Sequence, residues 1–475
     1  MSIRTKIVAT VGPASADVQT IRRLAQAGVD VFRINFSHGT DEQHEQFLAR
    51  IRQVEAQRRR PIAVMADLCG PKIRIGPIDS NSMLVGENQR IVIQREPIEG
   101  RPDRISTTLG EIVQQVRAGD AVLLDDGKIR LEVVEAPAAD EFVCKVLRGG
   151  ILASGKGVNL PDTPLELPVL TEKDRRDAEW LAGREFDYVA MSFVRTAEDV
   201  AALRKLLEKA GAAAHVIAKI EKPQAVEHIR EIAAEADAIM VARGDLGVEM
   251  DLPAVPVAQK RIARVCQEAG KPCIIATQML ESMTTCASPS RAEVSDVANA
   301  VLDHTDAVML SGETAVGKFP VEAVSVMNDI VANVQAYHDQ TAEPVRVAYA
   351  TAPTTAALAA AVREIIAAEK IAAIAVFTIT GATARMFSKH RVGCPILGLS
   401  PEISTVRRMC LYYGVEPMQA AMPQHTREVL AVASEFARKR RIAKRGDKII
   451  VISGRPLGEP GRTNTLVVHT IENKS

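Results

Sequence analysis

Short, nearly uninterrupted apolar runs recur along the chain, separated by segments of helical spacing. The runs are TKIVATVG at 5–12, DVFRINF at 30–36, PIAVMAD at 61–67 and DYVAMSF at 187–193. Four more follow: HVIAKIE at 215–221, AIMVARGD at 238–245, CIIATQ at 273–278 and AVMLSGE at 307–313. None alternates strictly, which is the pattern of parallel strands covered on both faces. Helical periodicity fills 16–27, 41–58, 171–182, 196–210, 222–235 and 256–269. Eight strands alternating with helices predict a (β/α)8 TIM barrel within an α/β protein. An open doubly wound sheet is the alternative. Against it, the first run ends Val11-Gly12-Pro13-Ala14-Ser15, a poor dinucleotide fingerprint.

One interval is too long for a βα connection. After Asp67, about a hundred residues pass before the barrel pattern resumes near Leu170. The interval is rich in β patterns: IRIG at 73–76, QRIVIQ at 89–94 and AVLLDDGKIRLEVV at 121–134, with Asp126-Gly127 as a hairpin turn. A β-barrel-like cap is therefore expected within the loop after the third strand. A polar, Pro-containing stretch at 338–354 opens a third unit. Its pattern reads helix 354–369, strand 371–378, helix 383–390, strand 395–399, helix 402–413, helix 426–441 and strands 447–453 and 464–469. The expected domains are a barrel from 1–69 and 170–344, a cap at 70–169 and a C-terminal α/β domain at 345–475.

Composition narrows the class. Lys+Arg and Asp+Glu are 59 each, and there are one Trp and five Tyr. Without a basic excess or aromatic platforms, neither nucleic acid nor an anionic membrane is an expected partner. Seven scattered cysteines with no C-x-x-C pair point to a reducing compartment, and the N-terminus has no signal-peptide pattern, so a cytoplasmic protein is expected. The most apolar stretch, 354–381, is interrupted by Arg363, Glu364, Glu369 and Lys370. Arg438-Lys439-Arg440-Arg441 falls at a helix end, where cations suit the dipole.

Function in such a barrel gathers at the C-terminal strand ends. Here those ends carry Arg33 and Asn35, Asp67, Lys219 and Glu221, Arg243 and Asp245, Thr277 and Gln278. Charges grouped at one rim call for a ligand or ion. Glu221 and Asp245 are hard oxygen donors suited to Mg²⁺, which keeps several waters. Lys219 lies two residues before Glu221 and projects to the same side. A divalent ion beside an ammonium suits a phosphate next to a carboxylate or enolate. Gly244 and Gly247 allow backbone N–H groups to approach an anion at a turn into a helix. Arg243-Gly244-Asp245 as an adhesion signal is a chance match.

Seven motifs carry a resemblance over nearly the whole chain. They are RINFSHG at 33–39, DLCGPKIR at 67–74, GKGVNLP at 155–161, AKIE at 218–221, MVARGDLG at 240–247, ATQMLESM at 276–283 and SGETA at 311–315. In this order they resemble the pyruvate kinase family. The resemblance implies phosphoryl transfer from phosphoenolpyruvate to ADP, giving pyruvate and ATP. It implies that Arg33 and Lys219 hold the phosphoryl group and that Glu221 and Asp245 carry Mg²⁺. Gly244 and Asp245 would offer donors to the substrate carboxylate, and Thr277 would border the enolate carbon. Asn35, Phe36, Ser37, His38, Arg74 and Lys156 would lie on the nucleotide side. A Mg-dependent barrel lyase or aldolase acting on pyruvate-like acids is the alternative function; it would not need Arg74 and Lys156 on a cap. A homotetramer is the family expectation.

Two features concern regulation. Thr378-Ile379-Thr380-Gly381-Ala382-Thr383 runs from strand to helix with hydroxyls and a glycine at the entrance, a ready phosphate site. The Ser453–Arg462 loop, with Arg455 and Gly461, is expected to close over a phosphorylated allosteric effector. In many family members K⁺ sits near residues matching Asn35, Ser37 and Asp67, with a Thr after the Asp and a Glu at position 72. Here Leu68 and Lys72 stand there. Lys72 is expected to supply the charge K⁺ would bring, so K⁺ is not expected as a requirement.

Overall fold

A computed structural model describes residues 3–58, 60–138, 140–163, 168–341, 352–459 and 461–472. All eight apolar runs are strands of one closed parallel barrel: β1 (Lys6–Val11), β2 (Val29–Asn35), β3 (Ala63–Asp67), β4 (Tyr188–Met191), β5 (His215–Ile220), β6 (Ala238–Ala242), β7 (Cys273–Ala276) and β8 (Ala307–Leu310). Each strand pairs with its neighbours in sequence, and β1 closes on β8. The register sets Asn35 beside Asp67 at the rim. Small residues such as Ala63, Ala190, Ala238, Ala276 and Ala307 help fill the interior, while Ile7, Phe32, Val64 and Ile239 pack outward against the helices. Helix starts obey capping chemistry: Asp17 accepts from the Gln19 and Thr20 N–H groups, and Thr171 caps Glu172–Trp180 in a capping box. The segment read as one helix over 222–235 is two, Pro223–Glu227 and Ile229–Glu235, because His228 leaves the helical region at φ −93° and ψ 20°.

Between β3 and β4 the inserted segment forms a six-stranded sheet and a separate two-stranded pair. Its own apolar core includes Ile91, Val122, Leu131, Phe142 and Val146. The IRIG run forms only isolated bridges, Arg74 to Gly157 and Ile75 to Thr107. The hairpin turn is longer than a two-residue Asp126-Gly127 turn. Leu124 pairs with Ile129, so Asp125–Lys128 forms the loop, with Asp125, Asp126 and Gly127 all at positive φ.

The C-terminal unit is a five-stranded sheet in the order Val415–Gln419, Ile396–Ser400, Ile371–Phe377, Lys448–Ser453 and Thr465–Thr470. The last strand is antiparallel. Val415–Gln419 did not stand out in the sequence pattern, and the helix expected over 402–413 is shorter, Ile403–Arg408 followed by a tight turn. Pro417 belongs to this strand because it is at the sheet edge, where a missing donor is tolerated. The helix Pro320–Thr341 runs into the start of the polar stretch at 338–354, and the expected boundary at 344/345, with residues 342–351 around it, lies outside the described residues.

This unit covers the floor of the barrel. Lys389 Nζ lies 2.6 Å from Asp306 Oδ2, both side chains 1% exposed. The Tyr188 hydroxyl donates to the Arg408 carbonyl at 2.7 Å, and Lys6 Nζ donates to the Val415 carbonyl at 2.8 Å. The barrel interior and one face of the C-terminal sheet thereby join one apolar cluster. Among the described residues no helix is long and apolar enough to cross a membrane.

Candidate active site

At the opposite end, the strand ends converge on Asp67. This carboxylate, 1% exposed, receives Arg33 Nε at 2.6 Å on one oxygen and lies 3.3 Å from Lys219 Nζ on the other. Lys219 also lies 2.7 Å from Glu221 Oε1 and donates to Ser192 Oγ at 2.7 Å. Ser192 in turn donates to the Leu68 carbonyl, and the second Glu221 oxygen accepts the Phe193 N–H at 2.7 Å. Burial opposes the charged form of Asp67, yet Arg33 and Lys219 hold its carboxyl below the ordinary range. Burial likewise opposes the Lys219 charge, but Asp67, Glu221 and Asp245 hold the ammonium above an ordinary lysine. Glu221 is pushed up by burial, pulled back by Lys219 and raised further by Asp245.

The second arm of the site is the helix Arg243–Glu249, which follows β6 directly. Arg243 anchors it with two 2.6 Å bonds to Asp296 and a bond to the Thr277 carbonyl at 3.1 Å. The Gly244 N–H donates to Thr277 Oγ1 at 2.7 Å. A Cβ at Gly244 would stand 3.2 Å from that oxygen, so the close approach favours glycine. Thr277 and Gln278 have φ of 71° and 56°, and a β-branched residue in that region is strained. Asp245 looks into a cleft of about 860 Å³ between rim and cap, which Lys72, Gly244, Thr277 and the cap's Arg148 also line. Lys72 Nζ lies 3.9 Å from Asp245 Oδ1.

The remaining expected site residues divide. Asn35 Oδ1 accepts the Ser37 N–H at 3.1 Å, shaping the loop after β2. The His38 ring is pushed below its ordinary range by burial and by the Arg74, Lys72 and Arg33 cations, which places the four in one electrostatic neighbourhood. Arg74 donates to the Gly155 carbonyl at 2.9 Å, and Lys156 lies 2.8 Å from Asp125 Oδ1, so cap contacts orient both. Phe36 needs correction as a nucleotide-contacting side chain. Its ring is buried, stacked on His44 at 4.2 Å and edge-on to Trp180 and Phe186, because it points outward from the barrel into the helix layer. Ser192 was missed, although its position at the end of the DYVAMSF run offered the signal.

The donor set fits Mg²⁺. Among the described residues no group of three or more His, Cys, Asp or Glu side chains could hold a metal alone. Glu221 and Asp245 supply two hard oxygens and leave positions for water and substrate, as Mg²⁺ prefers. In the C-terminal unit Thr378, Thr380, Thr383, Gly461 and Arg462 line a cavity of about 250 Å³. Gly381 opens the helix at φ 84°. Arg455 lines an adjoining cavity with His425 and Leu457 instead, so Arg462 is the arginine on the first cavity's wall.

Comparison with known proteins agrees with this architecture. A family model for the pyruvate kinase barrel domain matches residues 2–324, and one for the pyruvate kinase alpha/beta domain matches residues 356–469. The chain belongs to the pyruvate kinase family. It is 42% identical over 466 residues to the pyruvate kinase of Methylorubrum extorquens, covering 98% of this chain and 96% of that one. The pyruvate kinase of Geobacillus stearothermophilus is 42% identical over 477 residues, covering 100% of this chain and 81% of the relative. That of Mycobacterium tuberculosis is 40% identical over 477 residues, with 99% of each covered. The reaction is transfer of the phosphoryl group of phosphoenolpyruvate to ADP, giving pyruvate and ATP, and family members generally need a divalent metal. Nothing in these matches supports the lyase or aldolase alternative.

Proposed function

We propose that this transfer takes place at the barrel rim, with Arg33 and Lys219 gripping the phosphoryl group as it moves. The observation that carries the reading is the continuous ionic chain Arg33–Asp67–Lys219–Glu221, which fixes two cations side by side. A loose phosphoryl transition state needs charge and positioning rather than covalent help. As the bond to phosphorus breaks, negative charge grows on the enolate oxygen. Lys219 meets it with an ammonium already oriented by three partners. Glu221 and Asp245 would hold Mg²⁺, which when bound neutralises charge on substrate oxygens. Asp245 would offer its backbone donor to the substrate carboxylate, joined by the Gly244 N–H when that group leaves Thr277 Oγ1, and Thr277 borders the carbon that later gains a proton. Asn35, Ser37, His38, Arg74 and Lys156 form the nucleotide side, with the cap excluding water.

Lys72 takes the electrostatic place of K⁺ from a position 3.9 Å from Asp245 and within reach of the His38 ring. Its support is the balance of three cations, Arg33, Lys72 and Lys219, against three carboxylates, Asp67, Glu221 and Asp245. The cavity beside Thr380 receives a phosphorylated effector, and a cytoplasmic homotetramer completes the reading. Its domains are 1–69 with 170–344, 70–169 and 345–475. A dehydrogenase-coupled assay for pyruvate tests the reaction: pyruvate must form with ADP present and not without it. Calorimetric titration with sugar phosphates and nucleotide monophosphates tests the effector site. Silence from every compound, with no loss in Thr380→Ala, would remove it.

A further inference from the structure

We propose that Glu249 is a positioning residue that fastens the cap to the helix carrying Asp245, through a hydrogen bond from Asn159. Glu249 is buried at the last turn of the helix Arg243–Glu249. A carboxylate there opposes the helix dipole, so local helix stability does not account for it. Its Oε1 instead receives two donors from other segments: Asn159 Nδ2 at 2.8 Å and Lys222 Nζ at 2.9 Å.

The three segments that meet on this carboxylate are the three arms of the site. Asn159 belongs to the cap, in the short strand Val158–Asn159, three residues after Lys156. Lys222 directly follows Glu221. Glu249 stands one helical turn beyond Asp245, on the same side of the helix. The bond also sits at the wall of a cavity of about 330 Å³ between cap and rim, lined by Lys72, Asn159, Phe193, Lys222 and Asp245. Making the Asn159–Glu249 bond therefore sets the height of Lys156 above the rim and, through one turn of helix, the position of Asp245. Lys222 supplies the positive charge that partners the buried carboxylate on the same oxygen. This inference rests on the reading that Lys156 faces the nucleotide.

Charge exchange across the bond tests it. Asn159→Asp sets two carboxylates against each other, and kcat/KM for ADP should fall more than fivefold. Glu249→Gln keeps an acceptor and should fall less. The double variant Asn159→Asp/Glu249→Gln restores the bond in reverse, amide donating to carboxylate, and should recover to within threefold of wild type. Loss of packing alone would give no such recovery. A fall below fivefold in Asn159→Asp, or a double variant no better than that single one, overturns the proposal. Lys156→Ala, assayed in parallel, reports separately on the nucleotide reading. An unchanged KM for ADP there removes that reading, while the recovery pattern still decides the role of Glu249.

Discussion

Replacing Lys219 with Met is expected to remove catalysis and to weaken the fold by a predictable amount. Met keeps the apolar stem but takes away an ammonium 2.7 Å from Glu221 and 3.3 Å from Asp67. Asp67 keeps Arg33, whereas Glu221, 1% exposed, keeps the Phe193 N–H as its one remaining close donor among the described residues. Breaking a buried pair by deleting one member costs about 3–5 kcal/mol. With Asp67 still paired, the low end applies, about 3 kcal/mol, which lowers the melting temperature of the barrel and C-terminal unit together by roughly 4 °C. The same substitution deletes a donor aimed at developing charge, a loss of about 10²–10³ in kcat. Adding Glu221→Gln separates the effects. The second change removes the orphaned carboxylate, so melting should recover by a few degrees while turnover stays lost. The Lys219→Met deficit should also shrink as pH falls. A carboxyl whose folded pKa lies above its unfolded value binds more protons when folded, so its penalty grows with rising pH. Turnover is read by coupled pyruvate release at saturating substrates, and melting by circular dichroism. A kcat above a tenth of wild type, or an unchanged melting curve, would refute the role given to this lysine.

Glu221→Gln and Asp245→Asn should each steepen the Mg²⁺ requirement, and an unchanged Mg²⁺ titration would take them out of the metal site. Near-full activity is expected in potassium-free buffer. Lys72→Glu should create a K⁺ dependence; strong activation of the wild type by K⁺ over an organic-cation control at equal ionic strength would contradict this. His215 lies at the floor of β5, where burial and Arg408 push its ring down to about 4 against the pull of Asp237. Because the unfolded ring titrates near 6.5, stability should be complete above that pH and decline between about 6.5 and 4, by up to ~3 kcal/mol. His215→Gln should flatten the melting temperature between pH 7 and 5, and an identical slope in the variant would count against it.

The barrel was legible because each strand is buried on both faces, which leaves a dense apolar run that helices do not imitate. Val415–Gln419 was not, since Glu416 and Pro417 disguise an edge strand that gains its order from Ile396–Ser400 beside it. The rim could be read from the strand ends, where Lys219 and Glu221 share a face by the two-residue period. Ser192 and Phe36 mark the limit of that reading. Which way a residue points just beyond a strand end depends on the turn that follows, and Phe193, at φ 57°, sets that turn for Ser192. The partners of Glu249 come from segments 90 and 27 residues away, beyond any periodicity.

The merging of the barrel interior with one face of the C-terminal sheet has a thermodynamic corollary. Tyr188, Ile217 and Met240 belong to the same apolar body as Phe387, Met409 and Ile450, whereas the cap's Ile91, Leu131 and Phe142 form a body of their own. Heating should therefore melt the molecule in two units rather than three. The cap can unfold and refold on its barrel, because its apolar core is its own. The C-terminal unit cannot leave without exposing the barrel floor and stranding Asp306 without Lys389. A scanning calorimeter should record one minor endotherm for the cap and one large cooperative endotherm for the rest, so a barrel cut free of its C-terminal partner is an aggregation-prone fragment rather than a smaller enzyme.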